Sequence, residues 1–98
     1  MVIYEVNLTI STKVYSKFII WLDSHTKEML QFDGFIDSTI YKIDSNNINQ
    51  KLICIHYKVV SMEHLDNYLS NNAYKMKQEG INLFNDSFTA TRRILHLK

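Results

Sequence analysis

The chain has few of the residues that build the most easily recognised sites. One cysteine in 98 residues rules out an intrachain disulfide and a zinc site made of several cysteines. Two glycines leave no glycine-rich loop to hold a phosphate or a dinucleotide. No apolar run approaches the roughly 20 residues of a membrane span. We therefore expect no disulfide framework, no cofactor and no membrane partner.

The sequence also has no cluster of charges of one sign. Eleven basic and ten acidic residues are interspersed, and the net charge is +1. Binding to a nucleic-acid backbone needs several cations on one surface. The pair Arg92–Arg93 and the spaced Lys75 and Lys77 do not make such a stripe. We therefore expect no nucleic-acid partner.

The N-terminal residues alternate in the way that is typical of a strand. Apolar side chains at positions 2, 4, 6, 8 and 10 are separated by residues that include Glu5 and Asn7. A secretory signal would instead begin with basic residues and continue with an apolar stretch. The missing export signal and the lone cysteine together predict a cytoplasmic protein.

Two longer stretches have the period of three to four residues that indicates amphipathic helices. The first starts near Lys13, after Ser11 and Thr12 as capping residues, and stops at Asp33–Gly34. The second starts after Ser61 and is expected to bend or break near Asn71–Asn72. Residues 35–44, 52–60 and 88–97 read as three further strands.

The order strand, helix, strand, strand, helix, strand predicts one ferredoxin-like α+β domain over residues 1–98. Two crossover helices and one hairpin give a four-stranded antiparallel sheet with the order 4-1-3-2 and both helices on one face. The other face is mixed in character, with Ile3, Glu5, Leu52, Cys54 and His56. Such a face suits a second subunit that packs sheet against sheet, and an ordinary solvated face is the alternative.

Four short segments along most of the chain resemble a small bacterial family. They are residues 1–6, Trp21–Leu22 followed by His25, residues 61–63 leading to Tyr68, and residues 84–92. The family is catalogued as a domain of unknown function within the dimeric α/β-barrel superfamily. The resemblance implies a ferredoxin-like fold and a homodimer, and it implies no established activity. In that superfamily the space between the helices and the sheet is often the ligand cleft.

Trp21 and His25 are the first candidate site residues. They lie four positions apart on the apolar stripe of the first predicted helix, so both side chains share one face. If that face borders the cleft, the imidazole can act as an acid or base near neutral pH. The alternative is a histidine at the edge of the core with a structural role only.

Glu5, His56 and one of the two arginines form the second candidate group. Glu5 and His56 lie on neighbouring central strands, and Arg92 or Arg93 follows on the strand beyond Glu5. Such a group can orient an acidic or carbonyl ligand. It can equally be a paired polar cluster that fixes the register of a dimer, because unpaired charges are costly to bury. We expect no metal site, since the four histidines lack metal-binding spacing.

Two interpretations of function follow. The first is a noncatalytic homodimer, uncharacterised and without an assignable reaction. The second is a cofactor-independent oxygenase or isomerase, or a small-molecule binder, that takes an aromatic or carbonyl compound into the cleft between helices and sheet. In that case Trp21 forms the pocket wall, His25 is the acid or base, and His56 with Arg92 anchors the polar end.

Overall fold

Seven elements follow one another along the computed structural model, which describes all residues, 1–98. Their bounds are β1 (Val2–Ser11), α1 (Tyr15–Met29), β2 (Phe35–Ile43), β3 (Gln50–Val59), α2 (Met62–Asn71), α3 (Ala73–Phe84) and β4 (Phe88–His96). The four strands form one antiparallel sheet in the order β2-β3-β1-β4. The predicted ferredoxin-like fold and its strand order are confirmed. No helix combines the length and the apolar character that a membrane crossing requires.

The core lies between the helices and one face of the sheet. Every second residue of β1, from Val2 to Ile10, is buried there, and β3 contributes Ile53, Ile55, Tyr57 and Val59. This alternation follows from the pleat, which sends successive side chains to opposite faces. The helices close the layer with side chains that include Phe18, Leu22 and Leu65, all at most 1% exposed.

The second helical stretch is divided where the sequence predicts a break. α2 ends at Asn71 and α3 starts at Ala73, with Asn72 between them as the shared cap. The predicted cap at the start of α2 is also present, because the Ser61 hydroxyl accepts a hydrogen bond from the His64 amide at 3.3 Å.

The start of α1 differs from the prediction. The helix starts at Tyr15 rather than Lys13, and its capping position, Val14, offers no side-chain hydrogen bond. Ser11 still belongs to β1, where it pairs with Gln50 and where its amide donates to the Ser87 carbonyl at 2.9 Å. These long-range bonds extend the strand at the expense of the first helical turn. At its other end the helix stops at Met29, and Gly34 takes the positive φ of 84° that turns the chain into β2.

Candidate functional site

A small cavity lies between α1, α3 and the helix-facing side of the sheet. Its volume is about 50 Å³, and twelve of its sixteen lining residues are hydrophobic. The other four are His25, Lys77, Gly80 and Arg92. The space holds a few water molecules, whereas a benzene-sized guest occupies a cavity of about 150 Å³. A larger ligand therefore has to extend out of the mouth or move the walls apart.

Trp21 and His25 form one wall of this cavity. Their rings stack at a centroid distance of 4.5 Å and an interplanar angle of 26°. This contact follows from the helical period, which brings side chains four residues apart onto one face. The indole also packs against Phe18 and Phe84, with centroid distances of 5.4 and 5.8 Å, so the wall is held by the aromatic core behind it.

The His25 imidazole is uncharged at neutral pH. Burial lowers its pKa to about 4, and the positive charge of Arg92 adds to that effect. Glu79 lies 3.9 Å from Nδ1, which is too far for a hydrogen bond. Nδ1 is buried without a hydrogen-bond partner. A neutral ring with a free nitrogen can accept a proton or a hydrogen bond from a molecule in the cavity.

Tyr4 contributes a second polar atom that has no partner. Its hydroxyl is buried and has no hydrogen-bond partner of good geometry, and the Arg92 side chain is a donor close to it. Burial raises the pKa of this phenol, and the nearby Arg92 partly opposes the rise. Buried polar groups in folded proteins nearly always have a partner. Two such atoms around one cavity indicate that water or a ligand completes their hydrogen bonding.

Two cations stand at the mouth of the cavity. Lys77 and Arg92 line both the cavity and an adjoining surface depression of about 180 Å³ between α3 and β4. Neither takes part in any of the ion pairs of the molecule. Desolvation, and to a smaller extent the positive charge of Arg92, lower the pKa of Lys77. An anionic group placed at this mouth would compensate both charges.

Gly80 sets the width of the cavity on the side of α3. A Cβ atom at this position would lie 2.9 Å from the Trp21 ring and 3.3 Å from Phe88. Helix α3 therefore approaches the indole more closely than any other residue type would allow. A glycine inside a helix lowers the stability of the helix. The close contact with Trp21 is the packing reason for a glycine at this position.

The second candidate group lies on the opposite face of the sheet. Glu5 Oε1 is 3.0 Å from His56 Nε2, and Glu5 Oε2 accepts a hydrogen bond from Arg93 Nε. Arg93, and then His56, hold the pKa of Glu5 at about 2. The Cys54 thiol donates to Glu5 Oε1 at 3.5 Å, and burial together with that carboxylate raises its pKa.

The structure thus divides the residues that the sequence analysis groups together. Trp21, His25 and Arg92 meet at the cavity, and Glu5 and His56 meet on the open face with Arg93. Because Arg92 is the register partner of the helix-facing Val6, it cannot share a pocket with His56. The predicted joint anchor of His56 and Arg92 is therefore wrong, whereas the alternative arginine, Arg93, completes the predicted Glu5 cluster.

Tyr4 and Lys77 are cavity residues that the sequence analysis did not select. Tyr4 already belongs to the helix-facing set of the first strand, and Lys77 lies three residues before Gly80. Those signals indicate a face but not a cavity. The cavity forms only when β4 pairs with β1, because this pairing brings Arg92 and Phe88 to the same opening, and the sequence does not show that register.

Fold and cavity together define the class: a ferredoxin-like α+β protein with the fold of the antibiotic biosynthesis monooxygenases. A candidate antibiotic biosynthesis monooxygenase from Deinococcus radiodurans has a TM-score of 0.75 at 14% identity, covering 100% of this chain and 93% of that one. SnoaB, a cofactor-independent oxygenase from Streptomyces nogalater, has a TM-score of 0.71 at 9% identity, with 99% and 93% covered. A conserved protein from Methanosarcina mazei Go1 has a TM-score of 0.70 at 17% identity, with 100% and 94% covered.

The chain belongs to the family described as Domain of unknown function (DUF4286), whose model matches residues 1–98. The predicted membership of a domain-of-unknown-function family is confirmed. No match was found among curated proteins. At these identities the structural likeness establishes the fold alone.

Proposed function

We propose that the cavity between the helices and the sheet binds a small aromatic or carbonyl compound that carries an anionic group. The observation that carries this proposal is the set of unmatched polar groups around one apolar space. His25 Nδ1 has no hydrogen-bond partner, the Tyr4 hydroxyl has none of good geometry, and the exposed Arg92 and Lys77 have no counter-ion. An aromatic ring that extends from the mouth or moves the walls apart would pack against the indole and phenyl rings, and a carboxylate or enolate would pair with the cations at the mouth.

We further propose that His25, which the sequence analysis gives as an acid or base, acts on this compound as a base. A neutral imidazole can remove a proton from a carbon or hydroxyl next to a carbonyl group. The negative charge that develops on the compound would be stabilised by Arg92, whose guanidinium stays charged. Proton removal of this kind begins isomerisation, and it also makes an electron-rich anion that can react with oxygen. SnoaB is a cofactor-independent oxygenase, and such an activity is compatible with that chemistry.

The ligand proposal predicts thermal stabilisation by small aromatic carboxylates. A ligand that binds only the folded state raises the melting temperature by mass action. We expect a saturable rise with wild type, and a smaller one with the amides of the same compounds. Arg92→Gln should weaken binding about 10- to 100-fold, since it removes hydrogen bonds to a charged group. The shift is measured by differential scanning fluorimetry, with haem as a further test compound.

Arg93→Gln is the matched control, because Arg93 lies one residue away on the opposite face of the same strand. This variant should show the same ligand-induced rise in melting temperature as wild type, even if its melting temperature without ligand differs.

Gly80→Ala should reduce the rise in melting temperature without removing a polar group, because the added methyl group moves Trp21 into the cavity. His25→Ala separates binding from chemistry, since a catalytic His25 should affect turnover more than affinity. If no compound shifts wild type, the ligand proposal is wrong.

The alternative function is a noncatalytic homodimer, and the size of the cavity favours it. A space of about 50 Å³ can also be a packing defect filled by water, in which case Tyr4 and His25 have solvent as their partner. The ligand screen decides between the two functions, and a dimer is expected in both.

We propose that the dimer forms through the open face of the sheet. The isolated chain exposes 6555 Å², compared with about 5,800 Å² for a typical folded monomer of 11.6 kDa. Apolar side chains surround the Glu5 cluster on this face: Ile3, Tyr41, Ile43, Leu52 and Leu95. Tyr41 and Ile43 are 48% and 44% exposed. A second copy would cover this face without leaving Glu5 unpaired.

Light scattering at micromolar concentration should therefore give about twice the chain mass of 11.6 kDa. Tyr41→Lys should shift the protein toward monomer, because a charge on the buried face would lose its hydration. Ile20→Lys is the control, since Ile20 is 74% exposed on α1, away from the open face. A wild-type mass of one chain at every concentration would contradict the dimer.

A further inference from the structure

Three side chains with three different metal-binding atoms converge on the open face of the sheet, away from the cavity. Glu5 on β1 is the register partner of His56 on β3, and Cys54 is two residues before His56 on the same face. The carboxylate oxygen, the thiol sulfur and the imidazole nitrogen all lie within 4.8 Å of one another. Glu5 Oε1 is the common point, 3.0 Å from Nε2 and 3.5 Å from Sγ.

We propose that Glu5, Cys54 and His56 form a binding site for a divalent cation of the zinc class. Zinc bonds of about 2.0–2.3 Å in tetrahedral geometry separate neighbouring ligand atoms by about 3.3–3.8 Å. The two contacts of Oε1, 3.0 Å to Nε2 and 3.5 Å to Sγ, are close to that separation, and all three ligand atoms lie within 4.8 Å of one another. The proposal is independent of the cavity and of any activity there.

The chemistry of the donors selects the ion. A thiolate and an imidazole suit zinc and related soft cations, whereas magnesium and calcium require oxygen ligands. The carboxylate and the thiolate supply two negative charges to a site that also contains the positive charge of Arg93. With three protein ligands the fourth position remains free, as in zinc sites that exchange a water molecule or bind a ligand. His56, 30% exposed in the isolated chain, places that position on the open face, so in the proposed dimer it would lie at the interface between the two sheets.

Arg93 is compatible with this site. It holds Glu5 Oε2, so Oε1 alone points toward the sulfur and the imidazole nitrogen. Metal-binding carboxylates are commonly held by a hydrogen bond to their second oxygen, which fixes their orientation. The guanidinium therefore serves to position the ligand and does not take the place of the cation.

The test is a titration of the full-length chain, freed of metal with a chelator under reducing conditions, with cobalt(II) as a spectroscopic probe. We expect each chain to bind one equivalent of cobalt(II) and to show a thiolate-to-cobalt charge-transfer absorption. Added zinc(II) should displace the cobalt and remove the absorption. Cys54 is the only cysteine, so this absorption in wild type identifies its sulfur without any variant. Cys54→Ser, which keeps the side-chain volume, should remove the absorption, and His56→Gln should weaken cobalt binding at least 10-fold.

His96→Gln is the matched control, because it removes an exposed histidine outside the cluster and should leave the titration unchanged. Circular dichroism of each variant checks that it is folded. The proposal is overturned if wild type binds cobalt without the charge-transfer absorption or does not bind it saturably. It is also overturned if His96→Gln weakens binding as much as His56→Gln does.

Discussion

Phe18→Ala is expected to lower the free energy of unfolding by about 3–5 kcal/mol, the range for removing a buried aromatic side chain. Phe18 is fully buried and is the centre of the aromatic cluster behind the cavity wall. Its ring lies 4.9 Å from Phe84 and 5.0 Å from Phe88, measured between centroids. The substitution loses these contacts and leaves a void in the core between α1 and the sheet. Urea unfolding monitored by Trp21 fluorescence and by circular dichroism measures the change.

Ile20→Ala on the same helix is the control, because Ile20 is 74% exposed. A surface substitution of this kind usually changes stability by less than about 0.5 kcal/mol. A loss below about 1 kcal/mol for Phe18→Ala would mean that α1 does not pack on the sheet through this side chain. The structural account of the cavity would then fail, since Phe18 also supports Trp21.

The fold could be predicted because its signals are local. Alternation in β1 and β3, the helical period around Phe18 and the Ser61 cap are each set by residues close together in the chain. The start of α1 could not be predicted in the same way. The Ser11 hydroxyl accepts a hydrogen bond from the Lys13 amide at 3.3 Å, but its own amide bonds to Ser87, on a segment more than seventy residues away, and this keeps Ser11 in the strand. Only the assembled sheet makes that competition visible.

In the candidate sites, too, local contacts could be predicted from the sequence and contacts between strands could not. The stacking of Trp21 on His25 follows from their spacing on one helix and was predictable from the sequence. The partner of Glu5 was not, because Arg92 and Arg93 are adjacent and their faces depend on the register of β4 against β1. A shift of one residue would exchange the faces of the two arginines, so that Arg93 would face the cavity and Arg92 the open face. The composition of both sites is thus decided by strand pairing.

Lowering the pH from 6.5 to 4 should cost the folded protein about 3 kcal/mol through His25 alone. The unfolded chain takes up a proton at its ordinary value of 6.5, whereas the buried imidazole, 14% exposed, resists protonation until about pH 4. The unfolded state therefore binds more protons throughout this window. The stability contributed by the neutral ring is complete above pH 6.5 and is lost as the pH falls toward 4.

His25→Gln isolates this effect, because glutamine keeps a polar side chain of similar length and does not titrate. Urea unfolding at pH 7 and pH 4 should give a difference in stability that is about 3 kcal/mol smaller for His25→Gln than for wild type. Carboxylates titrate in both proteins, so their contribution cancels in the comparison. His96→Gln should retain the full wild-type loss, since it leaves His25 in place. An equal loss in wild type and His25→Gln would place the imidazole in water, and the cavity beside Trp21 would then be open to solvent at His25.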